Sequence, residues 1–114
     1  MNIVSYGEVM GVFAVNDNKL KYSDTARFYI AGAEANTMIG LAKLGVGSQF
    51  VSAVGNDAIG DSIQYQLKGE GVGTTFLKTI NNQSTGIMTK ERGISNSIYI
   101  DYFRKNSALN HYKI

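Results

Sequence analysis

Ala31-Gly32-Ala33-Glu34-Ala35-Asn36 is the stretch of this chain whose residue types could most readily do chemistry. A glycine turn lets the backbone approach a ligand closely, and a helix beginning at Ala33 would offer amide groups with no intrahelical partner. Gly32 and Ala33 are therefore placed to bind hydroxyl groups. Asn36 carries a donor and an acceptor on one side chain, so it can read a hydroxyl whichever way that group points. Far along the chain, Arg104 presents a planar fork suited to a carboxylate, and Tyr102 a flat apolar face with a hydroxyl at its rim. Each residue also has a plainer reading. Gly32 can be an ordinary turn, Asn36 a helix-start hydrogen bond, Tyr102 hairpin core and Arg104 a solvated strand end. Glu8 is read either as a ligand for hydroxyls or as a structural group near a strand end.

Other chemistries find little footing. The chain has no cysteine, which excludes disulfides and thiolate metal sites, and its single His111 has no second ligand at a metal spacing. Eleven Lys and Arg against nine Asp and Glu give a formal charge of +2, too small to imply nucleic acid or an anionic membrane as partner. No cluster of basic residues with interleaved aromatics is visible. The start, MNIVSYGEVMG, lacks the basic and long apolar parts of a signal peptide, and no run approaches a membrane span. A cytoplasmic protein is expected. Gly69-x-Gly71-x-Gly73 misses the spacing of a nucleotide loop and follows a helix, so it reads as a helix stop and turn.

The elements that must position these residues follow from periodicity. With 114 residues, 44% apolar and 18% charged, the chain has the make-up of one modest globular domain. Residues 2 to 6 read as an opening strand ending at Gly7. Val12 to Val15 and Ala26 to Ile30 read as two strands separated by the turn-forming Asn16-Asp17-Asn18. From Ala33 to Leu44 the apolar residues Ala35, Met38, Ile39 and Ala42 recur at helical spacing, and Gly45 supplies a left-handed closing residue. Phe50 to Val54 is a strand covered on both faces. Asp57 caps a second helix with Ile59, Ile63 and Leu67 along one stripe, ended by Gly69 and Gly71. Thr74 to Leu77, Thr85 to Lys90 and Ser97 to Phe103 read as strands, the last two forming a hairpin with a turn at Gly93 to Asn96. An α/β layer with a small additional sheet is the expected architecture. Such a layer, with two or three parallel strands and no capping helix after the hairpin, would leave a bare edge, and truncation of a longer protein is the simple explanation.

Asn36, Gly45 and Gly55 reproduce a spacing that, with the glycine turn before Asn36, Leu41-Ala42-Lys43-Leu44-Gly45 and Val54-Gly55-Asn56-Asp57-Ala58-Ile59-Gly60, resembles the PfkB family of sugar kinases. Gly32-Ala33-Glu34-Ala35-Asn36, Thr85-Gly86-Ile87-Met88 and Tyr102-Phe103-Arg104-Lys105-Asn106-Ser107-Ala108 look like the 2-keto-3-deoxygluconate kinases within it. The resemblance covers nearly the whole chain. It implies a ribokinase-like α/β fold, with a partial parallel sheet flanked by helices plus a β-sheet lid. Residues 1–114 would be the amino-terminal part of one sugar kinase domain, with lid strands at about 12–30 and 85–103.

By the same resemblance, Gly32, Ala33, Asn36, Met88, Tyr102 and Arg104 are substrate-binding residues, and Arg104 selects a sugar acid by its carboxylate. Three positions depart from the pattern. Met38 replaces a small residue, Met88 stands where the ketodeoxygluconate kinases tend to have Tyr, and Val12 replaces the Asp of related fructokinases, which argues against a fructokinase. The family moves the terminal phosphoryl of ATP, with Mg²⁺, onto a primary sugar hydroxyl, using a Gly-Ala-Gly-Asp motif that this chain lacks. Ile59-Gly60-Asp61 imitates only its ending. The chain is therefore expected to carry the substrate side and the lid, to hold neither ATP nor metal by itself, and to be inactive alone. A homodimer through the lid strands is expected. The competing readings are a non-catalytic sugar-binding or regulatory module and a degenerate product with no stable fold.

Overall fold

A computed structural model of the chain describes residues 2–93, 95 and 97–112. Among these residues, seven strands and two α-helices run in the order β1 (Asn2–Tyr6), β2 (Met10–Asn16), β3 (Arg27–Ala31), α1 (Ala33–Lys43), β4 (Gly47–Gly55), α2 (Ala58–Gly69), β5 (Leu77–Ile80), β6 (Ile87–Arg92) and β7 (Ile98–Phe103). Short 3₁₀ turns lie at Leu20–Tyr22 and Ala108–His111. The strands divide into a parallel sheet ordered β1-β4-β5 and a mixed four-stranded sheet ordered β3-β2-β6-β7. This is the α/β layer with an additional sheet that the periodicity implied.

The parallel sheet carries the core. Phe50 and Val54 of β4 are wholly buried against Ala35 and Met38 of α1 and Ile63 and Leu67 of α2, with Val9, Val72 and Leu77 closing the cluster. Both helices stop in the same way. Gly45 adopts φ 81° and donates its N–H to the Ala42 carbonyl, while Val46 donates to Leu41. Gly71, at φ 82°, donates to Lys68, and Val72 donates to Leu67. These paired bonds satisfy carbonyls that the helix ends would otherwise leave orphaned, and Val72 then drops into the core. The opposite face of the sheet is more open. Val4 and Tyr6 are exposed there, and Tyr112 covers part of it, with its ring centroid 6.2 Å from that of Tyr6 and its hydroxyl donating to the Phe76 carbonyl.

Two strands begin later than the sequence suggests. Thr74 to Phe76 form a turn, closed by the Leu77 N–H on the Thr74 carbonyl, and β5 starts only where Leu77 reaches the core opposite Ser52. Thr85 and Gly86 precede β6 instead of opening it, because both are committed to the passage between the sheets. The turn expected at Gly93 to Asn96 includes residues 94 and 96, which lie outside the described residues. The β6-β7 hairpin forms as expected, β2 and β3 also pair antiparallel, and a parallel pairing of β2 with β6 joins the two pairs into one sheet.

The chain passes between the two sheets four times, at residues 7–9, at Gly32, at residues 81–86 and at residues 104–107. Backbone bonds hold these passages side by side. Gly11 N–H donates to Gly86 at 3.1 Å, and Ala108 N–H donates to Ser84 at 2.8 Å. Everything that positions the candidate site sits in this bundle of crossings.

Candidate functional site

Glu8, in the first crossing, is the centre around which the others gather. Gly32 packs on the Glu8 backbone so closely that a Cβ there would overlap the Glu8 carbonyl oxygen, and only glycine fits. The Glu8 carboxylate accepts a hydrogen bond from Ser107 Oγ at 2.9 Å and lies 3.7 Å from the Arg104 guanidinium. Gly86 completes the group. A Cβ on it would meet Glu8 Oε2 at 2.9 Å and stand 3.5 Å from Arg104 Cβ, so its bare backbone lets the acid and the base share one side of the crossing.

Arg104 is held without being consumed. Its guanidinium lies over the Tyr102 ring, 4.5 Å from the centroid. The separation from Glu8 exceeds a good hydrogen bond, the Arg104 side chain is about half exposed, and the fork has donors to spare for a second carboxylate. Met88 pairs across the hairpin with Tyr102, half-buried where Tyr102 is exposed. On the other side of the crossings, Gly32 caps α1 with no side-chain acceptor, leaving the first amides of the helix, beginning at the exposed Ala33, without a side-chain partner. Asn36 is exposed one turn along, its backbone N–H donating to the Gly32 carbonyl. Gly32 and Arg104 thus both meet Glu8, with Tyr102 under the Arg104 guanidinium, Met88 opposite Tyr102 across the hairpin, and Ala33 and Asn36 on the first turn of α1.

A second cluster fixes the crossing that leads into β6. Asp57 caps α2 through the Gly60 N–H at 2.7 Å, while its other oxygen accepts the Thr85 N–H at 3.0 Å. The Thr85 hydroxyl donates to Asp57 at 2.7 Å and accepts the Gly55 N–H at 2.8 Å. Burial pushes the Asp57 carboxyl upward, but the backbone and hydroxyl of Thr85 and the amide of Gly60 outweigh it and hold the group below its ordinary value. The sequence identified Asp57 only as a helix cap.

The two glycine-bearing stretches of α2 and its exit are engaged within the fold. The Gly60 amide is already taken by Asp57, whose negative charge occupies the α2 start. Gly69 and Gly71 close that helix, and Gly73 bridges to Gln49. Among the described residues, no group of three or more His, Asp and Glu is placed to hold a metal ion, and no helix is long and apolar enough to cross a membrane.

Comparison with known proteins agrees with this architecture. Residues 1–110 match the model of the pfkB family carbohydrate kinases. The chain is 36% identical over 110 residues to 2-dehydro-3-deoxygluconokinase of Bacillus subtilis, covering 95% of this chain and 34% of that one. It is 30% identical over 111 residues to the enzyme of the same name from Thermoproteus tenax, with shares of 95% and 34%. The chain thus spans about a third of the length of these curated relatives. Among solved structures, the 2-dehydro-3-deoxygluconokinase of Thermotoga maritima superposes with a TM-score of 0.90 at 30% identity, over 99% of this chain and 35% of that one. A PfkB protein from Polaromonas sp. JS666 gives 0.91 at 28% identity, over 97% and 37%.

Proposed function

Since the chain belongs to the pfkB family of carbohydrate kinases, we propose that it is the substrate-side part of a kinase that phosphorylates a hydroxyl of a sugar acid, 2-keto-3-deoxygluconate. In this reading the mixed sheet is the lid, and residues 1–114 are the amino-terminal part of one kinase domain. The whole protein uses ATP and Mg²⁺, and the base and the phosphate-holding amides come from outside this chain. A cytoplasmic location fits that need for ATP.

The observation that carries the reading is the half-free Arg104 fork, which meets the Glu8 carboxylate while Gly32 packs on the Glu8 backbone. A sugar acid laid across Glu8 would set its carboxylate on Arg104 and its hydroxyls on the α1 amides and Asn36. Tyr102 and Met88 would supply the apolar wall. Recognition by a charged fork favours an acidic over a neutral sugar, because a neutral sugar would leave the guanidinium with Glu8 alone. Val12, with no carboxylate to hold neutral sugar hydroxyls, points the same way.

Calorimetric titration of the chain with 2-keto-3-deoxygluconate tests this. Binding should exceed that of fructose, and Arg104→Ala should weaken it about ten-fold or more while leaving fructose unaffected. Equal binding of both sugars, or an unchanged Arg104→Ala variant, would reject the assignment. In a coupled ATP assay the chain alone should give no phosphorylation. The open edge of β7, with Ile98, Ile100 and Tyr102 exposed along one face, is where a homodimer contact through the lid strands would form. Sedimentation of the wild type against Ile100→Lys tests that contact.

A further inference from the structure

A second charged feature lies on the mixed sheet, well away from Glu8. Ala14 on the central strand β2 stands opposite Arg27 on β3 and opposite Lys90 on β6, and Asn16 stands opposite Arg92. Alternation along the strands puts these residues on one face, where they line a hollow of about 470 Å³ together with Tyr29 and Asp17. Ala14 forms its floor. Strands lie about 4.8 Å apart, so Arg27 and Lys90 rise roughly 10 Å from each other, and two long side chains can close over a small group seated on the Ala14 methyl. Tyr29 supports one of them, with the Arg27 guanidinium 5.2 Å from its ring centroid.

The charges here are not matched. Among the described residues, the ion pairs within 4.0 Å are Lys43–Glu70 and Arg104–Glu8, and neither involves Arg27, Lys90 or Arg92. Asp17 is the one acid lining the hollow, leaving three cations against a single carboxylate. A monocarboxylate would be satisfied by one guanidinium fork. Three cations entering from two flanking strands, with the Asn16 amide beside them, suit a tetrahedral dianion whose oxygens can be met from several directions. The hollow is too small and too isolated for a nucleic acid backbone, since the adjoining strand β7 presents Ile98 and Ile100 on this face. Ala14 and Lys90 lie two residues outward from the Val12 and Met88 row, and Arg92 four, or about 7 and 13 Å along the strands.

We propose that this hollow binds the phosphoryl group of a small metabolite, at a site separate from the Arg104 crossing. An anion seated there would tie β3 to β6 across β2.

The test is a titration of the isotope-labelled 114-residue chain with inorganic phosphate, glucose 6-phosphate and acetate at neutral pH and constant ionic strength, followed by amide resonances. Phosphate and glucose 6-phosphate should both give saturable shifts at Ala14, Tyr29 and Lys90, and acetate none. The ester saturating at the lower concentration would identify a metabolite phosphate as the better occupant; an ester that fails to bind where phosphate does would overturn that part of the proposal. Arg27→Gln and Lys90→Gln should each weaken the response about ten-fold, and Ala14→Glu should abolish it. Arg104→Gln should leave it unchanged, which separates this site from the sugar-acid reading. As a second readout, phosphate should raise the thermal midpoint of the wild type more than that of the Arg27→Gln/Lys90→Gln double variant. No saturable shift at these amides, an equal response to acetate, or glutamine variants that respond like the wild type would each overturn the proposal.

Discussion

The two sheets of this molecule are built to different rules. In the parallel sheet, β4 is buried along most of its length between β1 and β5, and its Phe50 and Val54 have no solvent contact. In the mixed sheet, every residue of β7 is exposed, Phe103 at 59% and Ile100 at 41%, and full burial is concentrated on the central strand at Val12. The first sheet is stabilised by helices packed on its apolar face. The second is held by its backbone ladders and by pairs such as Phe13 and Phe28, whose rings lie 5.1 Å apart. A sheet that exposes so much apolar and charged side chain contributes surface, and both candidate sites lie on it or at its root.

Substitutions can break or sharpen this contrast. The largest loss should come from Phe50→Ala, which empties a wholly buried site between α1 and α2 and should cost about 3–5 kcal/mol in urea denaturation. Asp57→Ala should follow at about 2 kcal/mol, because it removes a helix cap and leaves Thr85 without its acceptor. Asp57→Asn isolates the charge. With the folded carboxyl held below its ordinary value, the stabilisation is present above the unfolded pKa of about 3.9 and is lost as pH falls through the lower, folded value. The asparagine variant should therefore show a flatter decline of stability with acid than the wild type.

A smaller effect of opposite sign is expected at Ser52. Its hydroxyl is buried in β4 with no hydrogen-bond partner among the described residues, so Ser52→Ala should raise stability by about 1 kcal/mol. Ile100→Thr in β7 should change stability by less than about 0.5 kcal/mol, since the residue is exposed in a sheet that does not depend on it. A loss at Ile100 that approaches that at Phe50 and does not change with protein concentration would show that the two sheets share one core.

What could be read from the sequence was largely local. The 3.6-residue stripes of α1 and α2, their glycine stops and the hairpin at 85–103 are short-range signals, and the structure matches them within a few residues. The family motif also marked Gly32 and Arg104 as neighbours in function, and the structure sets both against Glu8. Long-range pairings were silent. Nothing in the spacing of residues 10–16 and 87–92 announces that β2 and β6 run parallel, yet that register brings Lys90 beside Ala14, across from the Arg27 that the β2-β3 pairing sets on its other side. The basic hollow was missed for the same reason, its cations being scattered through the sequence. Glu8 remained ambiguous because its partners, Ser107 and Arg104, come from the far end of the chain.

That parallel pairing also bears on the order of assembly. Gly11 must wait for Ile87 before the mixed sheet can exist, whereas β1, α1 and β4 can meet as soon as residue 55 has emerged from the ribosome. The late closure of so long a loop makes the hairpin β2-β3 a waiting half-sheet during synthesis, with its β6 edge unpaired. Any slowing of translation between residues 55 and 87 would lengthen that wait and, with it, the time during which a neighbouring chain could pair in the place of β6.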